Sequence, residues 1–503
     1  MKFNKIFKTM LVALGATGIV SLTGCGDDEC PKYWNDFYGE PHYKPAYIWV
    51  DAAANFPGVA NSKEGITAYV LKAKEAGFTD LLVDVRPTNG DVLFKTDLVD
   101  QVTTLYTWQR IVEEKTSRFL PTTRTESWDY LQAWIDAAHA EGLRVHAALN
   151  TMVGGNFINN GMIEPTGYGM VFRDASKRDM VNTINYTDPV TGEKKLVNQM
   201  ELTTGGERFF NPHHPEVQKL ILGLVADVAK YQDLDGIVLD RGRYKDCTTD
   251  FSDLTRGLFE EYIGETLTNW PDDVMPLGAS AVPTSNFPKY YKEWWTFRAQ
   301  TMHDLVEACA AKAHEVHPGI SFGCYVGAWY ASYYQNGVNW ASPEYDIRNV
   351  SKGAEAWCND EYIPTGYADH VDLLILGCYA KPNAVFGTND WTSQGFAING
   401  MERVMGATTV VGGTDFGNFP TENRDYLWDI RNDGEGGPTD WTKIDFMRAA
   451  YDVVGACRNA LDGFFLFDIC HLQSSPEYWI PVTQALHYYP FEYTESASQE
   501  PAK

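Results

Sequence analysis

Residues 215–240 read PEVQKLILGLVADVAKYQDLDGIVLD, and this stretch decides the fold. Val217, Leu220, Ile221, Leu224, Val225 and Val228 recur at three- and four-residue spacing. That spacing puts them on one face of a helix, which Pro215 opens. After a short polar turn comes Gly236-Ile237-Val238-Leu239-Asp240, an apolar strand ended by an acid. The same unit recurs along the chain. Upstream lie the strands Tyr47-Ile48-Trp49-Val50, Leu81-Leu82-Val83-Asp84-Val85 and Val145-His146-Ala147-Ala148-Leu149. Helices over 63–77 and 128–142 separate them, each stopped by a glycine. Downstream, a helix over 294–317 leads to apolar runs at 320–325, 371–376, 408–411 and 463–467.

Eight strands separated by helices predict an α/β fold, a closed (β/α)8 TIM barrel. The rival is an open doubly wound sheet. That fold carries a glycine-rich phosphate loop after an early strand, and this sequence has none. Three long segments, 87–127, 151–211 and 327–369, each follow a strand. They are therefore predicted on the C-terminal face, where barrel sites are built. Within the second, Asp188-Pro189-Val190-Thr191-Gly192 reads as a hairpin turn.

The 503 residues are 44% hydrophobic, ample for a large core. A net charge of -26 argues against nucleic acid and against an anionic membrane surface. Aromatics make up 14% of the chain, with 15 Trp and 28 Tyr, a supply of faces suited to sugars. The nine cysteines show no paired C-x-x-C spacing, so no zinc site is expected from them. Cys309, Cys324, Cys378 and Cys457 lie in apolar runs and read as small core residues.

The N-terminus has its own pattern. Lys2, Lys5 and Lys8 precede an apolar run over 10–20, too short to span a bilayer. Leu22-Thr23-Gly24-Cys25 then resembles the lipobox of bacterial lipoproteins. The resemblance implies a signal peptide over 1–24, lipid such as palmitate on Cys25, and a membrane anchor. Gly26-Asp27-Asp28-Glu29 resembles the acidic export tag of surface lipoproteins. The expected location is the outer membrane, exposed at the cell surface. An acidic tether over 25–44, the barrel domain over 45–493 and a polar tail over 494–503 complete the division.

Chemistry is sought at the strand ends. Asp84 and Arg86 follow the second strand and Asn150 the third. Asp240, Arg241 and Arg243 follow the fourth, Asp415 the seventh and Asp468 the eighth. Glycosidic cleavage needs one carboxyl to protonate the leaving oxygen and another to attack or to activate water. Arginine and asparagine can hold sugar hydroxyls, and Tyr325, Trp329, Tyr330, Tyr379 and Trp391 can stack on sugar rings. The bland readings are also specific. Asp240 could pair with Arg86 or Arg243, Asp84 could orient Arg86, and Asp415 could cap a turn after Gly412-Gly413-Thr414. His146 reads as a satisfied core histidine, and His213-His214 as fixing the start of a helix. His314 and His317 read as surface residues, because H-E-x-x-H spacing is missing. No G-x-S-x-G elbow occurs.

Four motifs then match a known family in order. They are 84–94 (DVRPTNGDVLF), 138–147 (AHAEGLRVHA), 211–217 (NPHHPEV) and 235–240 (DGIVLD). Over roughly 45–415 the chain resembles the glycosyl-hydrolase-like family ten, a relative of the amylase-type barrels. The resemblance implies carbohydrate hydrolysis, with Asp240 in the acid position after the fourth strand. Asp240, Asp415 and Asp84 become the catalytic candidates. Arg86, Asn150, Arg241, Arg243, Tyr325, Trp329, Tyr379 and Asp468 become the substrate-holding ones. No metal or organic cofactor is implied.

Two departures stand out. Arg241 occupies a position where the family usually has a second acid, and Leu376-Gly377-Cys378-Tyr379-Ala380 keeps only Tyr379 of the family's sixth-strand motif. A glutamate is also missing at the end of the fifth strand. The leading expectation is therefore a lipid-anchored glycoside hydrolase. The alternatives are a non-catalytic glycan-binding lipoprotein on the same barrel and a peptidoglycan-remodelling hydrolase.

Overall fold

The computed structural model describes residues 44–111, 116–419 and 442–494. The signal segment 1–24, Cys25, most of the tether and tail residues 495–503 lie outside the described residues. Eight parallel strands close a barrel in chain order. They are β1 (Ala46–Val50), β2 (Asp80–Arg86), β3 (Arg144–Asn150), β4 (Gly236–Asp240), β5 (Ser321–Gly327), β6 (Leu373–Gly377), β7 (Thr409–Asp415) and β8 (Gly463–Phe467). β8 pairs with β1, as Ala46 opposite Phe464, and so completes the ring. This is the TIM barrel expected from the apolar strand rhythm.

Alternation along the strands builds two apolar layers. Tyr47, Trp49, Leu82, Ala148, Val238, Ile375, Val411 and Phe465 form one cluster inside the barrel. Ala46, Ile48, Val50, Leu81, Val83 and Ile237 belong to the outer cluster, which packs on the helices. Close approach of neighbouring strands demands small residues. At Gly413 a Cβ would strike the Phe465 carbonyl, and at Gly236 it would strike the His146 ring. β7 runs through Gly412 and Gly413 to Asp415, beyond the expected end at residue 411. The helices follow local signals. Lys63–Ala76 is capped by Ser62 and ends at Gly77, whose φ of 98° suits glycine. Pro215–Val228 starts on the His214 side chain, as expected of His213-His214.

The insertions gather at the strand C-termini. Segment 87–127 carries the hairpin Thr104–Ile111 with Thr116–Thr123. Segment 151–211 carries a three-stranded sheet and the hairpin Thr183–Thr187 with Lys194–Asn198 around the expected turn. The two segments touch. Gly90, with φ of 84°, packs so closely on Gly154 that a Cβ would lie 2.8 Å from its backbone. The Tyr106 and Tyr168 rings meet edge to face at 5.2 Å, and Arg173 bonds Asp91 and Asp100. At the opposite end of the barrel, Asp80 accepts from His146 Nε2 and Arg144 Nε, both at 2.8 Å. His146 is thus a core histidine, as expected, but only half satisfied: its buried Nδ1 has no hydrogen-bond partner among the described residues. The four cysteines read as core are all buried and free. Among the described residues, no helix is long and apolar enough to cross a membrane.

Candidate active site

A cavity of about 370 Å³ opens among the strand C-termini. Asp240, Arg241, Arg243 and Lys245 form its polar wall. Trp49, Tyr325, Trp329, Tyr333, Tyr379 and Phe467 form its aromatic wall, and Gly327 and Asn336 complete the lining. Asp240, Arg241, Arg243, Tyr325, Trp329 and Tyr379 were marked from the sequence. Trp49, Lys245, Tyr333, Asn336 and Phe467 were not. The alternation of β1 contained the signal for Trp49, since it shares the inward face with Tyr47.

Asp240 ends β4, and the backbone turns at once. Arg241 has φ of 45°, a left-handed conformation that a long side chain rarely adopts. The turn brings the Arg241 N–H onto Asp240 Oδ1 at 2.7 Å and its Nη1 onto Oδ2 at 3.1 Å. Arg241 also donates to Asn150 Oδ1 and, at 3.3 Å, to Glu207 Oε1. Burial works against the guanidinium charge. The Asp240, Glu207, Asp51 and Asp84 carboxylates outweigh it and raise the Arg241 pKa. The ion-pair partner of Asp240 is therefore Arg241, not Arg86 or Arg243. Arg243 instead donates to the Tyr244 and Lys245 carbonyls, with its guanidinium over the Phe209 ring.

Four marked residues are nearly sealed from solvent. Arg86 is wholly buried and donates to the Asn150 and Thr151 carbonyls. It joins the ends of β2 and β3, which corrects its assignment to substrate. Asn150 donates to Asp84 Oδ2 at 3.1 Å and to the Arg86 carbonyl at 3.0 Å, so it too is committed to the protein. Asp84 accepts from the Ala52 and Arg86 N–H groups. Burial first, then the Asp51 and Asp240 charges, push its pKa well above the carboxylate range. Asp468 accepts from Asn55 Nδ2 at 3.1 Å and from the Asp51 N–H at 3.3 Å. Burial and Asp51 push its pKa up to about 7.

Asp51 itself was missed. It follows β1 as Asp84 follows Val83, and that strand-end position was the available signal. Burial pushes its pKa up against the Ala54 N–H that it accepts. Asp415 caps the turn after β7 through the Gly417 N–H at 2.6 Å, as the bland reading held. It also meets His471 Nδ1 at 3.0 Å. Burial opposes a charge on His471, but Asp415 outweighs it and raises the pKa. His471 was also missed; it comes three residues after the Asp468 cap.

Asp240 and Asp415 both act on the tyrosine pair of the aromatic wall. The Tyr325 and Tyr379 rings lie 6.3 Å apart. Burial chiefly raises both hydroxyl pKa values, and the two carboxylates add to the rise. Trp329 extends the wall outward. Its ring is nearly parallel to Trp391, 7° between planes and 6.4 Å between centres. Trp391 is 63% exposed and has φ of 74°. Burial does not explain why a tryptophan occupies that place. A ring edge to Phe396 at 5.4 Å and an Arg403–Asp390 ion pair at 2.9 Å hold the segment.

Known proteins place the chain. An S-layer-related protein of Niallia circulans is 28% identical over 354 residues, covering 68% of this chain and 20% of that protein. The chain thus spans about one fifth of that relative's length. Among solved structures, a beta-galactosidase from the psychrophilic Marinomonas ef1 is similar with a TM-score of 0.51 and 8% identity, over 88% of this chain and 59% of that one. The PgaB (BpsB) glycoside hydrolase domain from Bordetella bronchiseptica gives 0.49 and 12%, over 88% and 99%. At such identity the beta-galactosidase shares the fold alone. The sequence profile of glycosyl hydrolase-like 10 matches residues 79–350, more than half of the chain, and the chain belongs to that family.

Proposed function

We propose that this protein is a glycoside hydrolase acting on a polysaccharide or complex glycan. One observation carries the reading: a strand-end carboxylate, Asp240, faces a cavity walled by arginines on one side and by aromatic rings on the other. The rings offer flat apolar faces to sugar carbons, and Arg241, Arg243 and Lys245 offer donors to hydroxyls. Asp240 serves as nucleophile or as base toward water. The proton for the leaving oxygen comes from the Asp415–His471 pair, whose Asp415 charge acts on the same tyrosines and whose imidazole pKa is raised. Asp84, the other sequence candidate for that acid, is sealed behind Asn150 and Arg86 and helps instead to hold the turn.

The non-catalytic reading has an observation of its own. Arg241 engages both Asp240 oxygens, and β5 ends in Gly327-Ala328-Trp329 without a carboxylate. Product analysis on mixed host, plant and cell-wall glycans separates the two. Released sugars support hydrolysis. Saturable binding without product favours the binding protein. Products from stripped cell-wall strands alone identify a peptidoglycan-remodelling enzyme. Lipid anchoring at Cys25, with the protein at the outer membrane surface, belongs to the same proposal. Cys25→Ala should leave the chain unlipidated and released from membranes with its melting temperature unchanged; a variant that still fractionates with the outer membrane counts against the anchor.

A further inference from the structure

Outside the barrel wall, away from the cavity, three metal-ligating side chains converge. His303 and Glu307 stand four residues apart on the helix Tyr291–Val316, so they share one face. His370 reaches them from the turn Ala368–His370, just before β6. One ligand atom from each of the three lies within 4.8 Å of the others. The His303 and His370 rings meet edge to face with centres 4.8 Å apart. Glu307 Oε1 is 3.9 Å from His370 Nδ1, and Asp369 Oδ1 is 4.0 Å from His370 Nε2.

The environment also selects a tautomer. His303 Nδ1 is 3.2 Å from the Gly366 carbonyl, which can only accept. Nδ1 therefore carries the proton, and Nε2 keeps its lone pair free for an ion. Histidines that ligate metals are oriented in this way by a carbonyl or carboxylate on the other ring nitrogen. We propose that His303, Glu307 and His370 form a zinc-class divalent cation site. Two imidazoles and one carboxylate are a three-ligand zinc set, with water in the fourth position. A tetrahedral shell at about 2.0–2.1 Å brings its ligand atoms to roughly 3.3 Å apart. Glu307, 55% exposed at its side chain, and His370, at 27%, have room to close that gap. The ion would tie the end of the 327–369 insertion to the helix that packs on β5. The site rests on its own geometry and does not depend on the glycosidase reading.

The test is a zinc titration of the full chain, free of any histidine tag, against a chromophoric chelator. One zinc ion per chain should bind with micromolar affinity or tighter and raise the melting temperature. His370→Ala and Glu307→Gln should each abolish that stoichiometric binding. His314→Ala, on the same helix but bonded to Asp372, should retain it. Glu307→Gln alters an exposed group, and equal melting temperatures in EDTA establish that it folds. Cobalt in place of zinc should give the intense visible bands of a tetrahedral site. A chain that takes up no zinc at micromolar concentration overturns the site, as does full binding by folded Glu307→Gln and His370→Ala.

Discussion

The ring of strand C-termini has two arcs of opposite character. On the β4–β6 arc, Asp240, Arg241, Tyr325 and Tyr379 face the cavity, and the acid is neutralised by an arginine at contact distance. On the β8–β1–β2 arc, Asp468, Asp51 and Asp84 crowd together, and among the described residues their bonds come from backbone N–H groups and amide side chains, not from a guanidinium. There, burial first and then neighbouring carboxylates, Asp240 among them, raise all three pKa values, and Asp468 reaches about 7. The same residue type at the same place in the repeat thus does two things. On the first arc the acid is paired with a cation and lines the cavity. On the second, burial disfavours the charged form, and the acid serves as a hydrogen-bonding joint between strands.

The largest test of this contrast is Asp240→Asn. It keeps size and hydrogen-bonding reach but removes the charge that attacks or takes a proton. Turnover should fall by roughly 10²–10⁴-fold, as for lost acid–base function, with affinity kept. Steady-state kinetics on a glycan that the native protein cleaves gives the answer, and a folded, fully active variant would end the catalytic assignment.

On the other arc, the readout is stability against pH. Folded Asp468 binds its proton more tightly than the unfolded chain does, with a pKa of about 7 against 3.8. Its contribution is therefore complete below pH 3.8 and is lost as pH rises through about 7. Asp468→Asn should flatten this decline, by a few kcal/mol at about 1.36 kcal/mol per pKa unit. Urea midpoints taken across the acid-to-neutral range measure it; an unaltered slope in the variant means that Asp468 is ionised in the native protein.

Arg241 sharpens the comparison from the backbone side. Both Arg241→Ala and Arg241→Gly remove the cation from Asp240, but only glycine accepts φ of 45° without strain. The glycine variant should be more stable than the alanine variant by about 1 kcal/mol. Equal melting temperatures would mean that the turn relaxes once the ion pair is gone. The smallest effect is expected at Trp391. Trp391→Ala should raise KM by roughly two- to tenfold on long oligosaccharides, matching the about 0.5–1.5 kcal/mol of an aromatic contact. Short substrates that reach only Trp329 should be unaffected, and an equal rise for both would place Trp391 outside the binding path.

Strand periodicity and glycine stops were enough to anticipate the barrel, and strand-end position was enough to single out Asp240. The finer roles were less legible. Arg86 and Arg243 were the partners that the sequence offered for Asp240, because each stands two or three residues beyond a strand-end acid, and the adjacent Arg241 was passed over. A left-handed turn at Arg241 decides the pairing, and no local pattern announces such a turn in a non-glycine residue. Asp51 escaped notice although it repeats the pattern of Asp84. Its importance comes from Asp84 and Asp468, which are remote in sequence and adjacent only after β8 closes on β1.

The order of the elements and the C-terminal placement of the insertions were determined by the sequence itself. These follow from short-range periodicity, and a strand's direction decides on which end its loop emerges. Which acids face solvent and which are sealed was decided only by tertiary structure. Ionisation depends on burial and on charges brought together by ring closure, and those distances are absent from the order of residues along the chain.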